Sequence, residues 1–401
     1  MKKLFLFIFL VCSLSAVFAV DFGAVLGGSF SVDGRDDTKV SGNVSLAPWL
    51  SAPMGKADFF LSLGLSALYD ETWQFVPELY RLELSYKPTA LFGLRAGRIP
   101  WQDTSHFTAK GNFDGVDLRF NFGDIILGAS GFYTGFLYSG TADINETAGD
   151  PIDHFAPLDY ADFAATYFAP RRIIASIYGE FPSLVFRRGD LYAGILAQFD
   201  LSGAAEAFHT QYLLLRYTHI YKQLDINAAF ALELEKTVAN GVKAAFAFAL
   251  EGGWNFNTPV FVKDRLSLAV RYSSGEGPHA AAFFPIIREA QGTALKPCFA
   301  GMMLVHVNYE ARILESLTAD LGLRYFIRTD GSSFDDPYNS AYLNSDSYAL
   351  GMEIDASVFW VPFSDLSLSL SGGVFLPGTG GAFDKGAPPI WTISLGAVFS
   401  F

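Results

Sequence analysis

The chain has 401 residues, 51% of them hydrophobic and 16% aromatic, with 39 phenylalanines and a net charge of −13. Past residue 20 no stretch reaches the ~20 apolar residues of a spanning helix, and an acidic chain gains little from phosphate, so nucleic acid is excluded as a partner. Of two cysteines, Cys12 and Cys298, the expected cleavage after Ala19 leaves only Cys298, which excludes a disulfide scaffold or a paired-cysteine metal site.

The first residues carry a targeting signal. Lys2 and Lys3 precede the apolar run Leu4 to Val11, and Val17-Phe18-Ala19 fits the small-x-small rule for cleavage. Residues 1–19 are expected to be a removed signal peptide and 20–401 one barrel domain. A lipoprotein signal ending at Cys12 is the weaker alternative, because Val11 is bulky where a small residue is usual.

From Val20 onward the pattern is alternation of period two. Val116 to Phe122, Leu224 to Leu234 and Leu317 to Arg328 each place apolar residues on one parity and polar or small ones on the other, with Phe326 an exception. Charges on the second parity cannot face lipid cheaply. An apolar chain without spanning helices satisfies its backbone in a membrane only by closing a sheet. The expected fold is therefore all-β, a transmembrane antiparallel β-barrel. A soluble two-sheet sandwich is the competing arrangement.

Candidate strands begin near residues 20, 40, 57, 78, 90, 113, 125, 158, 172, 191, 207, 222, 241, 264, 297, 316, 347, 366 and 389. That odd count conflicts with the even strand number of bacterial single-chain barrels. Long connections at Leu137–Pro157, Gly275–Lys296, Thr329–Ser345 and Gly378–Pro388 should all lie outside, and the two counts disagree between 158 and 274. The false strand is placed in 158–190, where Pro157, Pro170 and Pro182 interrupt the pattern. Eighteen strands are expected, with sixteen next. Compact turns are expected at Lys87-Pro88-Thr89, Phe122-Gly123-Asp124 and Pro362 to Asp365. No internal plug domain is visible. The last strand, Trp391 to Phe401, alternates to a terminal aromatic, a signature of substrates of the barrel assembly machinery.

With the apolar parity outward, the lumen receives Arg81, Glu83, Lys87, Arg95, Asp117, Arg119, Arg265, Arg271, Asp320, Arg324, Arg328, Glu353 and Asp355. Rings of charge in a pore set ion preference. Arg81, Arg95 and Arg119 on successive strands form either a basic ladder or part of a generally polar, ion-paired lining. Asp143, Glu146, Asp150 and Asp153 give the Leu137–Pro157 loop the charge for an acidic constriction, or for a solvated surface loop. No metal or cofactor pattern is present.

Two further stretches suggest a family. Gly97-Arg98-Ile99-Pro100 is followed by Asn112 to Asp117, and Gly351-Met352-Glu353-Ile354-Asp355 by Leu368 to Gly378. A Gly-Arg strand end before an Asp-Gly strand entry, and a Glu-x-Asp strand before a Gly-rich hairpin, resemble the alginate-export-like and related porin families. The resemblance implies an eighteen-stranded monomeric barrel whose charged lumen passes anionic sugar polymers.

The function expected is an outer-membrane channel for small hydrophilic or anionic solutes, sugars among them, with outer-membrane lipid and the assembly machinery as partners. Two other classes stay open. A surface adhesin would use the long loops. A barrel hydrolase would need a serine activated by histidine, and His306 with Asn308 on one strand face has no serine to complete a triad. A fatty-acid type transporter is disfavoured by the lack of an N-terminal hatch.

Overall fold

The computed structural model describes residues 20–34, 37–150, 157–185, 188–203, 207–237, 241–256, 258–277, 280–331, 343 and 347–401. The expected signal segment 1–19, Asp153 and His279 lie outside these residues.

Eighteen strands follow in chain order. They are β1 (Asp21–Gly34), β2 (Thr38–Met54), β3 (Ala57–Asp70), β4 (Thr72–Tyr86), β5 (Phe92–Gln102) and β6 (Lys110–Asn121). Next come β7 (Ile126–Tyr133), β8 (Arg172–Val185), β9 (Gly189–Asp200), β10 (His209–Tyr221), β11 (Leu224–Thr237) and β12 (Gly241–Phe256). The last six are β13 (Lys263–Ser273), β14 (Met302–Leu314), β15 (Leu317–Arg328), β16 (Ala349–Phe363), β17 (Leu366–Leu376) and β18 (Ile390–Ser400). Each pairs antiparallel with its successor, and β1 pairs with β18 from Val25↔Ser400 to Gly34↔Trp391, which closes the barrel. Phe401 lies just past β18, yet its backbone exchanges two hydrogen bonds with Ala24 at 2.8 and 3.0 Å.

The pattern of exposure separates this barrel from a sandwich. In β11 the outward Phe230 and Leu234 are 37% and 44% exposed, while the inward Ala231 and Glu233 are at 0%. Apolar side chains such as Leu65, Ile177, Leu250, Leu321 and Ile393 stand out all round the wall. An outward apolar belt with a polar interior is stable only when lipid covers the belt.

The connections sort by end. At one end the turns are tight, as at Gly55-Lys56, Lys222-Gln223, Glu315-Ser316 and Ser364-Asp365. The opposite end carries the long connections 134–171, 274–301, 329–348 and 377–389, which matches the expected sidedness. Lys87 belongs to the β4–β5 turn rather than to the strand.

The surplus strand near 158 is absent, and it lies within the suspected stretch. Its place is taken by the short helix α2 (Phe163–Tyr167), which follows α1 (Ser139–Ala142) in the β7–β8 connection. Aromatic packing holds this segment as a knot: Phe163 stacks on Tyr167 at 4.5 Å, and Tyr138 lies 5.0 Å from Tyr167. The strand expected near 297 begins only at Met302, because residues 297–301 still belong to the inward-folded loop. Strand β4 begins earlier than expected, at Thr72, and carries Pro77 within it. An extra residue, Tyr80, bulges opposite Ser62 and Leu63 of β3.

Candidate functional site

The lumen is the site, and the loop end of it is packed. The loop residues 103–109, 134–150 and 280–301 fold inward and meet one another. Ile144 bridges Ile287, and the Ile286 amide donates to the Thr108 carbonyl at 2.8 Å. Phe107, Phe283 and Phe299 pack edge to face at 5.3–6.1 Å. They share one buried apolar cluster with Ala229, Ala231, Ala245 and Ala247, whose small side chains on the inner wall leave room for the loop. Phe326, the exception to the polar parity of β15, points inward into the same cluster.

Carboxylates fasten this loop. Glu353 accepts from the backbone amides of Thr293, Ala294 and Leu295 at 2.7, 3.1 and 2.7 Å. Glu233 accepts from the Phe284 amide at 2.8 Å, and the Tyr212 hydroxyl donates to the Phe284 carbonyl at 2.6 Å. Charged acceptors on backbone amides are roughly twice as strong as neutral ones. Glu353, expected as a pore-lining charge, is thus fully buried as an anchor.

The basic ladder is present in position and largely paired. Arg81 and Arg95 both bond Glu83, at 2.6 and 2.8 Å, and Arg119 bonds Glu180 at 2.5 Å. Asp117 accepts from Ser130 and from the Tyr178 hydroxyl, at 2.8 and 3.0 Å. Farther round, Arg265 bonds Asp225 and Glu251, Arg324 bonds Glu353 and Asp355, and Arg271 donates to Gln291 at 2.9 Å. Asp320 accepts from the Ser357 hydroxyl. Alternating pairs of this kind cancel most of the field that lone arginines would project.

Of the acids expected in the 137–157 loop, Asp150 is an anchor, while Asp143 stays exposed. Asp150 is buried against Arg172, and Arg172 also holds Asp200 at 2.7 Å. Through Arg172 this pairing fastens the loop to β8 and β9.

The residue that the alternation concealed is Arg216. Its guanidinium lies 4.1 Å over the Tyr192 ring, and Nη1 is 3.3 Å from His106 Nδ1. No carboxylate forms a salt bridge with it among the described residues. The run Tyr212-Leu213-Leu214-Leu215 has apolar residues on both parities, so the inward face of β10 could not be read from it. Arg216 and His106 line a cavity of about 380 Å³ with Arg95, Arg119, Tyr178 and Tyr192. A second cavity of about 340 Å³ is lined by Arg265, Arg271, Arg324, Glu251, Glu289 and His306. Partial desolvation, then the charges of Arg216 and Lys110, hold the His106 ring down at about 4. Burial raises the Asp103 carboxyl above its usual range, although Ser105, Thr108 and Ala109 all donate to it.

The inner wall at the closing seam carries small polar side chains. Ser29 and Ser31 of β1, Asn43 and Ser45 of β2, and Ser371 and Ser394 of β17 and β18 share the inward parity. Ser31 and Ser394 bond each other across the closing seam at 2.6 Å. No residue of β1–β3 enters the loop-centred apolar cluster. Among the described residues no serine hydroxyl bonds a histidine ring, and no group of acids, histidines and cysteine is set to hold a metal.

No family model matches the chain, and no curated protein matches it. Solved structures do. OccK11 (OpdR) of Pseudomonas aeruginosa is 12% identical with a TM-score of 0.57, covering 96% of both chains. The outer membrane protein OprD from the same organism is 13% identical with a TM-score of 0.56, covering 96% of this chain and 94% of its own. Pseudomonas aeruginosa OccK2 (OpdF), solved in complex with glucuronate, is 10% identical with a TM-score of 0.57, covering 95% and 98%. The likeness shows the porin fold, an eighteen-stranded antiparallel barrel.

Proposed function

We propose that the chain is an outer-membrane channel of a diderm bacterium for the passive passage of small hydrophilic solutes, with anionic ones entering most readily. The observation that carries this reading is the run of inward Ser and Asn side chains on β17, β18, β1 and β2, where the loop packing takes only Phe375 and Ile390 into its apolar cluster. Hydroxyls exchange hydrogen bonds with a passing solute at little cost, while a guanidinium keeps its charge at any working pH. Arg216, Arg95 and Arg119 supply the basic bias. The glucuronate in the solved OccK2 structure is consistent with a solute of this size and sign.

A polymer cargo, the finer reading of the alginate-export-like resemblance, fits less well. Cavities of about 380 and 340 Å³ beside packed loops suit single small molecules. The adhesin reading loses support because the 134–150 and 280–301 segments are fastened inside the barrel. Residues 1–19 act in this proposal as the removed signal, and the β18 end with Phe401 as the element recognised during assembly. Single-channel recording in a planar bilayer tests the function. Stable conductance with a reversal potential favouring anions is expected. Purified, correctly migrating barrel that gives no conductance in any salt overturns it.

A further inference from the structure

Among the described residues the ladder between β4 and β5 is the shortest in the wall. Strands β4 and β5 share only the register from Leu82↔Arg98 to Tyr86↔Leu94, in the turn half of the wall. Both strands continue toward the loop end, β4 paired to β3 as far as Asp70↔Thr72 and β5 to β6 as far as Gln102↔Lys110. Between them the β4 edge from Thr72 to Leu79 has no strand partner. Pro77 lies on this edge, where its missing N–H leaves no ladder bond unmade.

Side chains satisfy that edge instead. The Phe75 amide donates to the Tyr160 hydroxyl at 3.0 Å, and the same hydroxyl donates to the Phe75 carbonyl. Tyr167 donates to the Pro77 carbonyl at 2.7 Å, and Arg98 Nη1 to the Leu79 carbonyl at 2.7 Å. Arg98 is itself pinned by Asp114 at 2.6 Å and by the Phe136 carbonyl at 2.9 Å. A backbone ladder must unzip to open, whereas a seam closed by side-chain hydroxyls opens by rotamer change.

The surroundings of the seam are apolar on both sides. Outside lie Leu63, Leu65 and Phe75, all about half exposed or more. Trp73 lies tilted against Tyr69 at 5.2 Å near the loop end, the position of an interfacial aromatic girdle, so the seam sits at the depth of the outer leaflet. Inside, Val76, Tyr138, Leu158 and Tyr167 form a buried cluster separate from the main core. One polar group is set into this lining: Glu78, which accepts from the Thr141 hydroxyl at 2.7 Å. It repels a carboxylate and accepts from a hydroxyl.

We propose that the upper β4–β5 seam is a lateral portal, through which an uncharged amphiphile with a hydroxyl-type head moves between the lumen and the outer leaflet. The aromatic cluster takes the apolar body, and Tyr160, Tyr167 and Arg98 form the latch. This route runs through the wall and stands independently of the axial passage of polar solutes.

Thiol labelling of the full barrel in liposomes tests it. Val76→Cys in a Cys298→Ser background places the reporter directly behind the seam, and Leu65→Cys is the lipid-facing control. The probe is N-dodecylmaleimide dissolved in the bilayer. Labelling of Val76→Cys is expected, with a rate roughly tenfold higher when Tyr160→Phe and Tyr167→Phe remove three latch bonds. Excess dodecanol should slow it and dodecanoate should not. If the double phenylalanine variant fails to assemble, Arg98→Lys loosens the same latch. A Val76→Cys thiol that stays unlabelled in both backgrounds while Leu65→Cys reacts overturns the portal. Labelling that dodecanol does not slow overturns the occupant.

Discussion

Arg172 Nη1 donates to Asp200 Oδ1 at 2.7 Å, and neither side chain has any solvent exposure. Asp150 on the same guanidinium brings the β7–β8 connection into the pair. Removing one partner from a buried pair leaves an uncompensated charge and costs about 3–5 kcal/mol. Arg172→Ala should lower the thermal unfolding midpoint in detergent and add open-channel noise as the connection loosens. A quiet, equally stable variant would show that the aromatic knot alone holds the segment.

Glu83 neutralises two arginines at once, so it controls the basic side of the lumen. Glu83→Gln should shift the reversal potential in a salt gradient toward anions, by roughly twofold in permeability ratio. Replacing Arg81, Arg95 and Arg119 together by glutamate should shift it toward cations. Both shifts should shrink near 1 M salt, where screening shortens to ~3 Å. If the potential at low salt is unchanged in variants that still conduct, the passage runs elsewhere.

Glu353 holds three consecutive amides of the 274–301 connection, and hydrogen bonds to a charged group are worth about 1.5–3 kcal/mol each. Glu353→Ala should release this segment from the wall and raise single-channel conductance, while the barrel keeps its heat-modifiable migration. Conductance equal to that of the unaltered barrel would mean the segment does not limit flow.

The wall was legible because a side-chain period of two has a physical cause: lipid accepts one parity and water the other. That logic located nearly every strand, with loop sidedness and prolines narrowing the false candidate to 158–190, and it put Arg81, Arg95, Arg119, Arg265 and Arg324 on the inner parity. It says nothing of loops, which have no period, so the packed lumen was missed. A signal existed in the inward alanines 229, 231, 245 and 247, too small to line an open pore, and in Phe326 on a polar parity. Pro77 hid the first half of β4, because proline argues against a paired strand and this half has an unpaired edge.

His106 gives a pH test of the cavity around Arg216. Its ring stands 3.3 Å from that guanidinium, and desolvation together with the Arg216 and Lys110 charges holds it at about 4. At neutral pH it is therefore uncharged, and Arg216 acts as a lone cation over Tyr192. The sign for stability follows from linkage. The unfolded chain takes up this proton near the ordinary value of 6.5 and the folded one near 4, so His106 destabilises the barrel progressively as pH falls between them. Below that window the ring is charged in both states, and the lumen gains a second cation beside Arg216. Anion selectivity should therefore rise as pH drops through about 4. Carboxylates of the lumen protonate in the same range and push the same way, so the informative quantity is the difference between the unaltered barrel and His106→Asn. That variant should show a smaller rise in anion selectivity and weaker acid destabilisation. Identical pH curves for the two proteins would remove His106, and the cavity it shares with Arg216, from the conducting path.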